Sequence, residues 1–274
     1  MNDHYLVLGN PIEHSLSPDI HAQFAAQTDQ SIDYGRRLID TQDGAFATAV
    51  KSMQAEGIKG ANVTVPFKEI AFALADELSE RAQTAGAANT LVFRDDGSIY
   101  ADNTDGAGLV NDIKYNQQVP IAGKRILVVG AGGAVRGVLQ PLINEQPAGI
   151  TIVNRTLDKA ERLQAMFAQV FPLEVSNFAG IDGRQFDIVI NGTSLGLQGK
   201  VAPLPGGIFS KQALAYDMMY GAGSRPFQQW ALAQGAEKAV DGLGMLVGQA
   251  AESFYLWRGV RPEIGPVIDN LRAR

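Results

Sequence analysis

The stretch RILVVGAGGAVRG, residues 125–137, decides the fold of this chain. It runs from a buried-strand pattern into a glycine-rich turn and then into an apolar helical pattern that extends toward Gln146. Small residues in such a turn let the backbone approach a pyrophosphate, whose charge lies at the helix N-terminus. Because Val135 stands where the strict dinucleotide fingerprint has a third glycine, the turn alone also fits an ordinary strand-to-helix connection. We expect cofactor contacts from Gly130, Ala131, Gly132, Gly133 and Ala134.

The residues that follow the next strand indicate which dinucleotide binds. That strand is predicted over Ile150–Val153, and it ends in Asn154, Arg155 and Thr156, where an NAD-dependent enzyme would place an acidic residue. A guanidinium pairs bidentately with a 2′-phosphate, and Lys159 adds a second cation one helical turn further on. Taken singly, Asn154 and Thr156 also fit a helix cap beside a solvated arginine. Together these residues predict NADP as the cofactor.

Flanking patterns extend this stretch into two α/β domains. After it, a helix over Leu157–Val170 and strands over Asp187–Ile190 and Leu214–Asp217 predict a Rossmann sheet. Before it, short apolar runs alternate with helical patterns, and the turn Asp95–Gly97 predicts an antiparallel hairpin, so the first sheet is mixed. We predict domains at residues 1–105 and 106–240 and a helical segment at 241–274 that returns to the first domain. The elements predicted in the first domain are strands over His4–Leu8, Asp33–Leu38, Ala61–Val65, Asn89–Arg94 and Ser98–Ala101, and helices over Ser17–Thr28, Asp43–Glu56 and Pro66–Leu78.

The composition is that of a globular protein with about two domains. Of 274 residues, 46% are hydrophobic and 19% are charged. The 23 lysines and arginines against 29 aspartates and glutamates give a net charge of −6, which disfavours nucleic acid as a partner. With no cysteine and only three histidines, the sequence excludes thiol nucleophiles and cysteine-ligated zinc, and no metal site is predicted. It shows neither a signal-peptide pattern nor an apolar run of membrane length, so we expect a cytoplasmic protein.

Two groups of polar residues in the first domain are candidates for substrate chemistry. Ser15 and Ser17 stand at a predicted helix start, where hydroxyls and backbone N–H groups suit a carboxylate; Ser17 also fits the N-cap position, with a proline after it. Lys68 opens another helix, where its charge opposes the macrodipole, so we interpret it as functional. Asp105 fits a helix cap in isolation, but near Lys68 it would complete a proton-transfer pair.

Nine motifs, taken together and in order, resemble the shikimate dehydrogenase family across essentially the whole chain. They are SLSP at 15–18, NVTVPFK at 62–68, AGAANT at 85–90, NTDG at 103–106, GAGGAVRG at 130–137, NRT at 154–156, NGTSLG at 191–196, YDMMY at 216–220 and GLGMLVGQA at 242–250. The resemblance implies an N-terminal substrate domain and an NADP-binding Rossmann domain. It also implies the reversible NADPH-dependent reduction of 3-dehydroshikimate to shikimate, a step toward chorismate and the aromatic amino acids.

The resemblance also implies roles for individual residues. Lys68 would be the acid/base residue and Asp105 its partner. Ser15, Ser17 and Tyr220 would bind the substrate carboxylate, and Thr64, Asn89 and Gln249 would contact its ring oxygens. On the cofactor side, the motifs add Met218 and Gly242 near the nicotinamide, and Glu80 with weaker support.

Three alternatives stay open or are excluded at this stage. A quinate/shikimate dehydrogenase with NAD preference is disfavoured by the missing acidic residue after the second Rossmann strand. A glutamyl-tRNA reductase would need a cysteine nucleophile, which the chain lacks. A regulator that binds NADPH or a metabolite without turnover is disfavoured by the intact Lys68 and Asp105. We expect a monomer or a homodimer.

Overall fold

A computed structural model describes residues 2–274 of the chain and divides them into two compact units. The first unit runs to Gly108 and resumes at Leu246–Arg274, and the second unit is Leu109–Met245. The sequence-based boundaries, after residues 105 and 240, lie a few residues before these positions. No helix in the described part of the chain is long and apolar enough to cross a membrane.

The first unit contains a six-stranded mixed sheet in the order β2-β1-β3-β5-β6-β4. Strand β1 pairs in parallel with β2 and β3, whereas β3–β5 and β5–β6 are antiparallel, which confirms the predicted mixed sheet and hairpin. Its buried side chains include Leu8, Val63 and Leu91, which pack in one apolar cluster. The strands are β1 (Asp3–Gly9), β2 (Ile32–Leu38), β3 (Gly60–Val63), β4 (Glu77–Leu78), β5 (Thr90–Phe93) and β6 (Ile99–Asp102).

The helices of the first unit include one that the sequence patterns did not predict. They are α1 (Ser17–Gln27), α2 (Ala45–Ala55), α3 (Lys68–Leu74), α4 (Glu80–Ala85) and the start of α5 (Asp105–Asn111). The predicted helix over Pro66–Leu78 was wrong at its C-terminal end, because Ala75 turns to extended backbone and β4 pairs with β6 instead. Helix α4 was missed because six residues are too few to show helical periodicity. Its local signals are the Ser79 side chain, which accepts from the Ala82 N–H, and Gly86 with φ +58°.

The second unit is a doubly wound Rossmann fold, as predicted. Its sheet order is β12-β11-β10-β7-β8-β9, and every neighbouring pair is parallel. Numbered from the first strand of this unit, that is the order 6-5-4-1-2-3, so the chain reverses direction across the sheet between β7 and β10, where such folds bind their ligands. The strands are β7 (Arg125–Val129), β8 (Gly149–Val153), β9 (Glu174–Ser176), β10 (Phe186–Asn191), β11 (Phe209–Asp217) and β12 (Lys238–Val240).

Helices cover both faces of this sheet. They are α6 (Gly133–Asn144), α7 (Leu157–Phe167) and α8 (Arg225–Ala233). Alternate residues of each strand enter different apolar clusters: Val128 lies in one and Val129 in the other. Strand β11 begins earlier than predicted because the exposed Lys211 and Gln212 interrupt its apolar pattern.

The C-terminal segment forms two helices, α9 (Leu243–Arg258) and α10 (Gly265–Arg272). From Leu246 onward it belongs to the first unit. Within that unit the Asn62 side chain donates to Ser253 Oγ (2.8 Å), and Trp257 Nε1 donates to the Leu91 carbonyl (3.0 Å). Strand β3 and strand β5 therefore both hold α9 in place.

Candidate active site

The first unit brings Lys68 and Asp105 into direct contact. Lys68 is the first residue of α3 and Asp105 the first residue of α5. Lys68 Nζ donates to Asp105 Oδ2 over 2.5 Å, with the lysine side chain 31% exposed and the aspartate 11%. A cation at a helix N-terminus is unfavourable by itself, and the carboxylate offsets that cost. The ammonium stays accessible to a ligand while the carboxylate holds its position.

Asn89 connects this pair to helix α9. It directly precedes β5, is almost fully buried, and its amide nitrogen donates to Asp105 Oδ1 (2.8 Å) and to Gln249 Oε1 (3.2 Å). Its amide oxygen accepts the Thr104 backbone N–H (2.9 Å). These bonds use the second carboxylate oxygen of Asp105, so both of its oxygens are fixed by neighbouring side chains.

Ser15 and Ser17 lie together at the start of α1, but the predicted capping role of Ser17 was wrong. Ser17 is the first helical residue, Leu16 occupies the N-cap position, and no side chain caps the helix there. Ser15 Oγ donates to Ser17 Oγ (3.2 Å) and accepts the Ser17 N–H (3.3 Å). The short loop from β1 into the helix places two hydroxyls side by side.

A buried polar layer lies beneath these hydroxyls. The Tyr34 hydroxyl donates to Asn62 Oδ1 (2.7 Å) and lies within reach of Ser17; burial raises its pKa well above 10, and Ser17 opposes that rise. His21 stacks on the Tyr34 ring with centroids 4.2 Å apart. Burial lowers the pKa of His21 to about 3, against the contact with Asn62, so its imidazole is neutral near pH 7. The sequence patterns did not single out these three side chains.

Thr64 follows strand β3 directly, in the loop that connects this strand to helix α3. Its backbone N–H donates to the Leu8 carbonyl (2.9 Å) and its carbonyl accepts from Phe67 (3.0 Å), so the loop that leads into α3 is fixed by the sheet. The Thr64 methyl group also lies only 2.5 Å from the position that a Cβ on Gly9 would take. Glycine is therefore required where β1 ends beside this loop.

In the second unit, the glycine turn leaves an open cradle at the N-terminus of α6. Gly130 has φ +111°, and a Cβ there would lie 3.3 Å from Gly192, which follows β10. Beyond it, Gly132 is the N-cap and Gly133 the first residue of α6; no atom lies within 4 Å of a Cβ placed on either, and no side chain caps the helix. Ala131 is partly buried and Ala134 exposed. The backbone of this turn can therefore approach a pyrophosphate closely.

Val135 occupies the position of the third glycine of the fingerprint, and its contact with Gly192 explains how a valine fits there. It is completely buried, and its Cγ2 lies 2.4 Å from where a Cβ on Gly192 would stand. Glycine at 192 thus provides the space that a glycine in the helix usually provides. Gly192 was not among the predicted site residues, although it belongs to the quoted NGTSLG motif.

Arg155 and Lys159 present two exposed cations at the end of β8. Neither makes an ion pair or a side-chain hydrogen bond within residues 2–274. Thr156 is the N-cap of α7, its side chain caps nothing, and its carbonyl accepts from Asn154 Nδ2 (2.7 Å). The cations and the threonine hydroxyl are therefore available to an anionic group, and Asn154 holds the turn that carries them.

Met218 and Gly242 are neighbours in the second unit. A Cβ on Gly242 would lie 2.4 Å from the Met218 carbonyl oxygen, and the Gly242 N–H donates to the Met219 carbonyl (2.8 Å). Tyr220 follows in this unit and is 39% exposed, whereas Ser15 and Ser17, its predicted companions, belong to the first unit. Glu80 is an exposed residue at the start of α4 in the first unit, whereas the other predicted cofactor residues belong to the second.

Asp217 fixes the segment that carries Met218. Its carboxylate accepts the Met219 N–H (2.9 Å) and the Asn191 side-chain amide (3.0 Å), and it is fully buried. Burial raises the pKa of Asp217 from 3.8 to about 6; the two hydrogen bonds oppose that rise and the nearby Asp241 adds to it.

We expect Asp217 to make the second unit less stable as the pH rises from about 4 to about 6. In that window the folded chain retains a proton that the unfolded chain releases, so the contribution is full below the ordinary pKa and is lost as the pH rises through the folded value. Asp217→Asn should flatten this slope in denaturant unfolding followed at several pH values. Asp187→Asn is the opposite control: burial raises the Asp187 pKa, but bonds from Ser210 and Arg125 outweigh it and lower the pKa overall. A wild-type slope in the Asp217 variant would contradict the assignment.

Among residues 2–274, no group of three or more His, Asp or Glu side chains is arranged to hold a metal ion. The chemistry available in the first unit is therefore that of a lysine, a carboxylate, amides and hydroxyls. Such a set can bind a polyhydroxylated ligand and can transfer a proton to or from one of its oxygens.

Three family models match successive parts of the chain. Residues 7–91 match a shikimate dehydrogenase substrate binding domain, residues 114–196 match shikimate / quinate 5-dehydrogenase, and residues 242–272 match a shikimate 5′-dehydrogenase C-terminal domain. Each candidate residue of the first unit up to Asn89 lies within the first match, and the glycine turn lies within the second.

Relatives and solved structures extend over nearly the whole chain. A shikimate dehydrogenase (NADP(+)) of Cellvibrio japonicus is 53% identical over 99% of this chain and 98% of the relative. The crystal structure of an Ael1 enzyme from Pseudomonas putida has a TM-score of 0.92 at 45% identity, covering 98% of each chain. Shikimate 5-dehydrogenase from Thermus thermophilus, solved with NADP(H) and shikimate, has a TM-score of 0.84 at 29% identity and covers 99% of each chain.

Proposed function

The chain belongs to the shikimate dehydrogenase family, and we propose that it catalyses the reversible NADP-dependent interconversion of shikimate and 3-dehydroshikimate. The observation that carries this proposal is the Lys68–Asp105 contact, held by Asn89 beside Gln249 in the first unit. The first unit is then the substrate domain and the second unit the cofactor domain.

The second unit fits NADP better than NAD. The open turn at Gly130–Gly133 would receive the pyrophosphate, and the unpaired side chains of Arg155 and Lys159 would receive the 2′-phosphate. Bound NADPH supplies a hydride for the carbonyl carbon of the substrate. Met218 and Gly242 would border the nicotinamide, with Asp217 holding that segment by its bond from the Met219 N–H.

Lys68 would act as the general acid in reduction and as the base in oxidation. Its ammonium donates a proton to the oxygen that becomes the hydroxyl, so negative charge on that oxygen is neutralised as it develops. Asp105 orients the ammonium through Oδ2, while its Oδ1 is fixed by Asn89. Thr64, Asn89 and Gln249 supply the remaining polar contacts for the ring oxygens. The chemistry then needs no metal ion.

Ser15 and Ser17 would hold the substrate carboxylate; the contribution that the resemblance implies for Tyr220 stays a prediction. The paired hydroxyls lie at the N-terminus of α1, where backbone N–H groups and the helix dipole favour an anion. The Arg36 guanidinium donates to the Ser15 carbonyl (2.6 Å) and thereby fixes the loop that carries them.

Removing either serine hydroxyl should weaken substrate binding more than turnover. We expect Ser15→Ala and Ser17→Ala each to raise the KM for shikimate by roughly tenfold, the lower value for one lost hydrogen bond to a charged group, with kcat close to wild type. Because Leu16 and not Ser17 is the N-cap, Ser17→Ala should leave the helix cap intact. Steady-state kinetics and thermal unfolding of both variants measure this. A severe loss of kcat with unchanged KM would assign these residues to the chemical step instead.

A quinate/shikimate dehydrogenase is the second candidate, because the model matched over residues 114–196 carries both substrate names. The exposed Arg155 beside Lys159 favours NADP, and no carboxylate follows β8 directly to bind a free ribose.

Three further properties stay predictions: a cytoplasmic location, a role in chorismate synthesis, and a monomeric or homodimeric state. So does the absence of nucleic acid among its partners.

The deciding experiment is an absorbance assay for NADPH formation by the purified chain. Shikimate with NADP is expected to give the highest kcat/KM, followed by shikimate with NAD, with quinate weaker under both cofactors. If quinate with NAD gave the same rate as shikimate with NADP, the second candidate would be favoured. Tight NADP binding without turnover of either substrate would identify a binding protein that has lost the reaction.

A further inference from the structure

Arg81 ties together three elements of the first unit. It is the second residue of α4; its Nη2 donates to Asp102 Oδ2 (2.5 Å) and its Nε donates to Asp102 Oδ1 (3.1 Å). Its Nη1 lies 3.7 Å from Glu252 Oε2 on α9. The guanidinium therefore joins α4, the end of β6 and helix α9.

Each carboxylate partner of Arg81 stands close in sequence to a candidate active-site residue. Asp102 is three positions before Asp105, and Glu252 is three positions after Gln249 on the same helix. Because residues three apart lie on one helical face, Gln249 and Glu252 share a face of α9. Arg81 is thus linked, through Asp102 and Glu252, to Asp105 and Gln249. Both of these accept hydrogen bonds from Asn89, and Arg81 contacts neither of them itself.

Asp102 passes this constraint to the loop before Asp105 through its backbone and its side chain. Its carbonyl accepts the Asn89 N–H (3.0 Å), and its Oδ1 accepts the Asn103 N–H (2.6 Å) and the Ser79 hydroxyl (2.5 Å). Asn103 in turn accepts the Asp105 N–H on its Oδ1 (3.2 Å). A continuous chain of hydrogen bonds therefore runs from the Arg81 guanidinium to the backbone of Asp105.

The Asp102 side chain is only 2% exposed, and Arg81 is its ion-pair partner. A buried carboxylate that loses its cation is strongly destabilised and either takes up a proton or draws in water. Glu252 differs, because Arg261 also hydrogen-bonds its carboxylate. Loss of Arg81 should therefore disturb the Asp102–Asp105 loop more than it disturbs α9.

We propose that Arg81 is a positioning residue for the proposed reaction: through Asp102 it holds the loop that presents Asp105 to Lys68 and aligns Asn89. A fork-shaped guanidinium is needed because it engages both oxygens of Asp102 at once. A lysine at this position keeps the charge and loses that geometry. The inference rests on the proposed function, since its readout is shikimate turnover.

Arg81→Lys tests the proposal in the full chain. We expect it to lower kcat for shikimate by roughly tenfold, because a small displacement of a proton-transfer group slows the reaction strongly, while the KM for NADP stays at the wild-type value. Arg37→Lys is the matched control: Arg37 makes a two-pronged pair with Glu56 (3.2 and 2.6 Å) elsewhere in the same unit. It should retain wild-type kcat and KM.

A second set of variants guards against simple misfolding. Arg81→Gln should be severely impaired, whereas Arg81→Gln combined with Asp102→Asn buries no unpaired charge and should fold, bind NADP and recover part of the lost kcat. Wild-type kinetics in Arg81→Lys, or a double variant no better than the product of its singles, would overturn the positioning role alone. An inactive wild-type chain would overturn the proposed function and this inference with it.

Discussion

Lys68→Ala is expected to lower kcat for shikimate oxidation by roughly 10² to 10⁴, the usual loss when a positioned general acid or base is removed. The reason is that Lys68, which Asp105 holds at the N-terminus of α3, is the group that we propose to transfer the proton. The affinity for NADPH should stay close to wild type because the proposed cofactor residues, apart from Glu80, belong to the second unit. Steady-state kinetics and direct NADPH titration measure the two quantities.

Lys59→Ala is the matched control for this prediction. Lys59 also pairs with an aspartate of the first unit, Asp95, over 3.2 Å, but both side chains are exposed on the surface. Surface pairs contribute little, so this variant should keep wild-type kcat and nearly wild-type stability. If Lys68→Ala turned over shikimate as fast as Lys59→Ala does, Lys68 would have no part in proton transfer.

Arg155→Ala is expected to raise the KM for NADP by roughly tenfold to a hundredfold and to leave the KM for NAD nearly unchanged. A guanidinium that binds a phosphate bidentately contributes on the order of 1.5 to 3 kcal/mol per charged hydrogen bond. Arg155 is exposed and has no ion-pair partner in the part of the chain that the structure describes, so its removal leaves no buried charge behind. Initial rates with each cofactor at saturating shikimate give both constants.

Arg162 provides the control, because it lies on the helix that follows Arg155. It is exposed on α7, five residues after the first helical residue, Leu157. Arg162→Ala should change neither constant, and Lys159→Ala should raise the KM for NADP less than Arg155→Ala does. Equal losses with NADP and NAD in the Arg155 variant would rule out the 2′-phosphate as its ligand.

The Rossmann unit was predictable because its signals are local. The run of apolar residues before Gly130 predicts a strand of the correct length, and the order of strand, glycine turn and helix indicates the sheet. How the fold accommodates Val135 was not predictable, because the glycine that leaves room for it, Gly192, is far away in sequence and close only in the folded sheet. The same limit applies to β11, whose first residue, Phe209, pairs with Phe186 of β10 before a register shift that precedes Leu214.

The candidate site shows the same division between motif and contact. Lys68 and Asp105 each stand in a recognisable motif at a helix start, and the structure brings them together with Asn89 and Gln249. Arg81 was not singled out, because it stands in a six-residue helix, which is too short to show periodicity, and its partners Asp102 and Glu252 are 21 and 171 positions away. Only tertiary contacts reveal such a positioning residue. Ser17 shows the opposite error, since a plausible local capping signal was overridden by the course of the loop that contains Ser15.

The most direct test of the Lys68–Asp105 account is a double-mutant cycle on kcat, with Lys68→Ala, Asp105→Asn and the double variant assayed with shikimate and NADP. If the two side chains act as one unit, the double variant loses much less than the product of the two single losses, because either change alone disables the pair. Asp105→Asn should by itself lower kcat while NADPH affinity stays constant. Fully multiplicative losses would show that the two residues act independently, which contradicts a proton-transfer pair.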